Sequence, residues 1–236
     1  MIGAITFAIL LTTSCADDAP HGTLIFADDF NRAESQELVD EPGKGWKTNS
    51  RSRAKGNKQV DLKDGALHIF IHQEADHGVS VVHDAGFRDG AVELRFKLES
   101  EGDSLGLNFA DLKCKEVHAG HLFAVRIHLH RVLLEDLKTG KMDLQTRKLR
   151  QSNRLSSEQK QSLKGKEKSL PNKLEPAKWY ALLVEIDGDT LKASIDGEEI
   201  GSFQSEGIAH PTKRTLRLAV PKNAVVDDLK IWRCGE

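Results

Sequence analysis

From Thr23 onward, apolar and polar residues alternate in short runs. This is the period-two signature of strands whose side chains point to opposite faces of a sheet. The runs are Thr23–Phe26, Gln59–Leu62, Ala66–His72, Gly78–His83, Ala91–Leu98, Ser104–Ala110, His121–Leu134, Trp179–Ile186, Thr190–Ile195, Glu199–Phe203, Thr215–Val220 and Ala224–Trp232. Turn residues punctuate them: Lys63-Asp64-Gly65, Arg88-Asp89-Gly90, Asp187-Gly188-Asp189 and Asp196-Gly197. Many short strands joined by Asp-Gly turns predict an all-β, antiparallel two-sheet sandwich over residues 23–236.

The alternation breaks between 140 and 173, where the chain is polar, basic and poor in β-branched residues. Ser156 and Gln159 have the spacing of a capping box, which predicts a helix limited by Gly165 and Pro171 and hence a short helical insertion between two sheet strands. The formal net charge is -2, which offers no footprint for nucleic acid. From Thr139 to Lys173, however, seven Lys and three Arg face Asp143, Glu158 and Glu167, a local +7. The segment reads either as a basic lid that draws anionic sugars such as uronates, or as a solvated helix seated on Leu155 and Leu163.

Ahead of the strands, Ile2–Leu11 is an apolar run that ends in Leu11-Thr12-Thr13-Ser14-Cys15. At about 10 residues such a run is too short to span a bilayer, so residues 1–15 read as a signal peptide that ends at a lipobox Cys15, with residues 16–22 as a polar tether. The expected product is exported and held in the cell envelope, periplasm or outer membrane, by a lipid on Cys15. That leaves Cys114 and Cys234, paired or free.

Candidate chemistry concentrates in the His121–Leu134 run. Taken as one strand, it sets Phe123, Val125, Ile127 and Leu129 on one face and Arg126, His128 and His130 on the other. Neighbouring runs place Glu93 and Arg95 opposite Val92, Leu94 and Phe96, and Asn108 opposite Leu105, Leu107 and Phe109. If consecutive strands are neighbours, these polar groups share one sheet face suited to sugar hydroxyls. There Arg126 would stabilise an oxyanion, His128 or His130 would move a proton, and Glu93 would serve as acid or base. Arg95 and Asn108 would hold hydroxyls, with His210 and Lys213 on the Gly207–Arg214 loop at the rim. The other reading of this face is a solvated outer surface. His128-x-His130 could also bind a divalent metal with His118, His121 or Glu135, and Asp29 and Asp227 could share a structural Ca²⁺ if the terminal strands pair. No cofactor motif occurs: there is no P-loop, G-x-G-x-x-G or C-x-x-C, and no E-x-D-x-x-E carboxylate set.

Several stretches carry a family likeness: Phe30-Asn31 with Gly45-Trp46, Val60–Leu67, Phe87–Phe96, Lys178-Trp179-Tyr180, Ile195-Asp196-Gly197 and the closing Val226–Trp232. On these the chain resembles the 3-keto-disaccharide hydrolase-like domain of the concanavalin A-like lectin/glucanase superfamily. The resemblance implies a jelly-roll sandwich whose first and last strands are neighbours, and a carbohydrate partner. It also implies cleavage of a glycoside, with a 3-keto-glycoside as one candidate, for which one base and one oxyanion stabiliser suffice. A non-catalytic carbohydrate-binding module at the cell surface is the alternative.

Overall fold

The computed structural model describes residues 21–235, so Cys15 and the signal segment lie outside the described residues. The first half of the chain gives β1 (Thr23–Asp28), β2 (Lys47–Thr48), α1 (Ser50–Arg53), β3 (Val60–Lys63), β4 (Ala66–Phe70), β5 (Val79–Phe87), β6 (Asp89–Lys97) and β7 (Leu105–Ala110). A 3₁₀ turn (His118–Gly120) then leads into β8 (His121–Ile127) and β9 (Arg131–Asp136). The second half gives α2 (Leu144–Gln151), α3 (Ser157–Lys164), β10 (Glu167–Pro171), β11 (Trp179–Asp187), β12 (Thr190–Ile195), β13 (Glu198–Gln204), β14 (Lys213–Val220) and β15 (Asn223–Cys234).

All strand pairs are antiparallel and fall into two sheets. One runs β13-β12-β11-β6-β15-β4-β3, with β1 added alongside β15; the other runs β10-β9-β8-β7-β14-β5-β2. First and last strands are neighbours, with Asp28 opposite Leu229 and Thr23 opposite Arg233. The expected jelly-roll sandwich is therefore present. Its core is the layer between the sheets, where Phe87, Phe109 and Phe123 pack together, the last two stacked with centroids 4.7 Å apart. Burying each such ring stabilises the fold by about 2–3 kcal/mol. Two predicted turns are two-residue hairpins with both central residues at positive φ, Asp64-Gly65 (54°, 71°) and Asp196-Gly197 (50°, 81°), the backbone that matches strand twist.

Three expectations fail in instructive ways. The His121–Leu134 run is a hairpin, not one strand: Ile127 pairs with Val132, and the His128 N–H donates to the Arg131 carbonyl at 2.9 Å. The reversal carries no Gly or Asn; Leu129, 2% exposed, pins it to the core instead. Arg88-Asp89-Gly90 is not a hairpin either, because Asp89 and Gly90 already belong to β6 and the chain crosses here from one sheet to the other. The 140–173 insertion is helical only in part. The Ser156–Gln159 capping box does open α3, and Gly165 ends it, but β10 pairs with β9 as an edge strand.

Candidate functional site

The outer face of the seven-stranded sheet is notched. Leu105, Leu107 and Phe109 of β7 point into the core, so Gly106, Asn108 and Ala110 face outward. Across the register, Arg217 and Ala124 lie opposite Asn108, while Ala219 and Arg126 lie opposite Gly106. Asn108 and Ala219 line a cleft of about 470 Å³, which also carries Arg53, His77, His118, His121, Arg126, Met142 and Arg217.

His121 organises it. A register shift between Phe109 and Ala110 sets the imidazole over Asn108, with Nδ1 2.8 Å from Asn108 Oδ1. Its Nε2 lies 3.3 Å from Arg217 Nη1. A guanidinium can only donate, so Nε2 accepts and Nδ1 carries the proton toward Asn108. Burial, reinforced by the Arg217 charge, pushes the imidazole down to about 3, which leaves it neutral, with an accepting lone pair on Nε2, at physiological pH. Arg217 is fixed in turn by donating from Nη2 to the Ala119 carbonyl at 2.7 Å. Presenting that carbonyl requires Ala119 at φ 50° and Gly120 at φ 69°. A Cβ on Gly120 would sit 2.4 Å from the Asp111 carbonyl oxygen, so the turn admits glycine alone there.

On the other side of the cleft, Arg126 donates from Nε to Glu135, which also accepts from Lys141 Nζ. Glu135 is 1% exposed, whereas Arg126 and Lys141 keep 38% and 30% of their side-chain surface. One buried carboxylate therefore holds two cations that still face outward.

The structure redistributes the residues expected from sequence. Asn108 and Arg126 line the cleft. His128 and His130 sit in the β8–β9 turn, at the opposite end of β8 from His121, so the row of Arg126 with two imidazoles does not form. Glu93 and Arg95 belong to β6 in the other sheet, because β6 pairs with β11 and β15 rather than with β7. There Glu93 meets Lys230 at 3.5 Å, and Arg95 meets Asp227 at 3.3 Å while lying over Trp179. His210 is spent on Asp111 at 3.1 Å. Lys213 is fully buried, donating to the Arg88 carbonyl and pushed down to about 8 by burial, so neither rims the cleft.

The metal expectations fare likewise. The pairing of β1 with β15 does bring Asp29 near Asp227, whose carboxyl is raised by burial and by the Asp228 and Asp29 charges, and the two are offset by Lys44, 3.7 Å from Asp29, and Arg95, 3.3 Å from Asp227. Among the described residues the one cluster of three metal-type ligands is Glu34, Glu37 and Asp61, and the Lys58 ammonium occupies it at 2.6–2.8 Å. Cys114 and Cys234 are free, one buried and one exposed. Sequence reasoning placed His121 only as a spare ligand and missed Arg217. Its signal was there, since Arg217 alternates with the buried Leu216, Leu218 and Val220.

No protein-family model and no curated protein sequence matches the chain. Solved structures do. The laminarinase from Rhodothermus marinus superposes with TM-score 0.59 and 13% identity over 92% of this chain and 100% of that one. The shared fold is the antiparallel two-sheet jelly-roll sandwich. The Bacillus licheniformis β-glucanase gives 0.57 and 11% over 90% of this chain and 99% of its own. A GlcNAcα1-4Gal-releasing endo-β-galactosidase from Clostridium perfringens gives 0.58 and 11%, with 92% of this chain spanning only 64% of that enzyme. Within this concanavalin A-like sandwich, the chain puts a neutral histidine and two arginines on the outer face of one sheet and no pair of carboxylates among the cleft-lining residues described.

Proposed function

We propose that the cleft binds a glycan and cleaves a glycoside by proton abstraction, with His121 as base and Arg217 and Arg126 as the groups that receive negative charge. The observation that carries this is the Asn108–His121–Arg217 chain, which fixes one tautomer of a neutral imidazole beside a guanidinium. The superposed solved structures are named as a laminarinase, a β-glucanase and an endo-β-galactosidase, which supports a carbohydrate partner. A pair of acids set across the bond, as ordinary glycoside hydrolysis needs, has no counterpart in the cleft.

A 3-keto-glycoside suits what is present. Its ketone acidifies the C2 proton, and Arg217 turns from His121 to the carbonyl oxygen and frees Nε2. The C2–H bond breaks to the imidazole, and its electron pair passes through C2=C3 onto the ketone oxygen, an enolate that Arg217 holds. As the enolate collapses, the C3=O bond re-forms and C1=C2 forms while the C1–O bond breaks, and the imidazolium returns its proton to the departing oxygen. Water adds across the double bond, so the net reaction is hydrolysis. The leader-like residues 1–15 support action outside the cytoplasm, held through Cys15.

The test is incubation with 3-keto-disaccharides and their parent sugars in D₂O, following released monosaccharide and deuterium at C2. Turnover of the keto sugar with C2 exchange, lost in His121→Gln, is expected. Absence of cleavage, with or without divalent metal, overturns the reading. Binding without turnover makes the protein a carbohydrate-binding module, the reading that the missing carboxylate pair favours.

A further inference from the structure

A second cavity, of about 190 Å³, lies under the insertion, where the five cations Lys141, Arg150, Lys160, Lys164 and Lys166 outnumber the three carboxylates Glu135, Asp136 and Glu167. Glu135 and Asp136 are already engaged. Glu135 holds Arg126 and Lys141. Asp136 accepts from the hydroxyls of Thr139 (2.5 Å) and Ser205 (2.6 Å) and from the Gly207 N–H (3.1 Å), with Lys166 at 3.9 Å. No carboxylate lies within 4 Å of the exposed ammonium groups of Lys160 and Lys164 among the described residues.

This cavity adjoins the cleft. Arg126 faces the cleft and Glu135 the cavity, and the two are ion-paired; Met142 lines the first and its neighbour Lys141 the second. The insertion is fastened at that junction: Val117 pairs with Asp143, and the His118 N–H donates to the Met142 carbonyl at 2.8 Å. We infer that cleft and cavity are consecutive subsites for an acidic polysaccharide, with Arg217 and Arg126 meeting one anionic sugar and Lys160 and Lys164 of α3 meeting the next. This rests on the reading that the cleft takes a glycan, and adds its charge and its length. Spaced cations on a rigid sheet and two short helices suit an anion repeated at sugar intervals, whereas a neutral glucan leaves them unpaired.

The probes are an oligogalacturonate hexamer and dimer, a sulfated hexasaccharide, a neutral laminari-hexaose and a DNA hexamer, titrated calorimetrically into the full chain at low and at physiological salt. The acidic hexamers should bind about tenfold more tightly than the neutral one, and salt should erode the difference. Which acidic probe binds more tightly names the anion. Lys160→Ala/Lys164→Ala, on an exposed helix face, should weaken hexamer binding roughly fivefold and leave the dimer unchanged. Equal binding of the neutral hexamer, an unchanged hexamer affinity in the double variant, or DNA binding as tightly as the uronate would each overturn the inference. Turnover of a neutral keto-disaccharide without acidic preference sinks this inference alone; acidic preference without turnover sinks only the cleavage reading.

Discussion

Lowering the pH from 7 to 5 tests His121 directly, because the folded imidazole sits near 3 while an unfolded one takes up its proton around 6.5. A histidine held below its ordinary value is neutral in the fold. The unfolded chain therefore binds more protons in this window, and stability falls as pH drops below 6.5. Linkage removes about 1.4 kcal/mol per pH unit, so the cost by pH 5 is about 2 kcal/mol. His121→Gln removes that term while its amide can still donate to Asn108 and accept from Arg217. His68, His118 and His128 are also held low, burial first, but their share is common to both proteins. The assay is urea unfolding of wild type and variant at both pH values. Wild type should lose about 2 kcal/mol more than His121→Gln; equal losses would show that the imidazole titrates normally and that the fold does not hold it neutral below pH 6.5.

Other substitutions have equally definite outcomes. Arg217→Lys cannot reproduce two separate donors to His121 and the Ala119 carbonyl, so it should cut turnover by about 10² with little change in melting temperature. Glu135→Gln leaves Arg126 and Lys141 without their shared anion and should cost about 2 kcal/mol, less than a fully buried pair because both cations reach solvent; thermal unfolding measures it. Lys213, buried and held near 8 against an ordinary 10.5, penalises the fold below pH 8, so wild-type stability should rise between pH 8 and 10, and Lys213→Met should flatten that rise. Replacing Gln145–Lys164 with a Gly-Ser link should keep the sandwich folded by circular dichroism, while extending the deletion through Lys173 strips β10 from β9 and should lower the melting temperature.

The period-two pattern was legible wherever one face of a strand is buried: it gave the core of β7 and β8 and put Asn108 and Arg126 on the outer face. It says nothing about which strand lies beside which. Glu93 and Arg95 were joined to that face by assuming that β6 neighbours β7, and the chain instead changes sheet between them. The β8–β9 reversal escaped because its anchor is the apolar Leu129, not a turn residue. Helix α3 announced itself through its capping box, but α2, which buries no side chain, offers no apolar stripe. Lys213 looked like a surface cation because charge in a sequence carries no depth.

The pairing of β1 with β15 has a mechanical corollary. Thr23 enters the fold opposite Arg233, in the sheet that backs the cleft. A molecule held at a surface by residues ahead of Thr23 is thus gripped from behind, with its cleft turned toward the medium and long chains free to settle across it. Immobilisation through the amino-terminal end, on a bead or a bilayer, leaves the cleft unobstructed, while coupling through the lysines of the insertion would shut it.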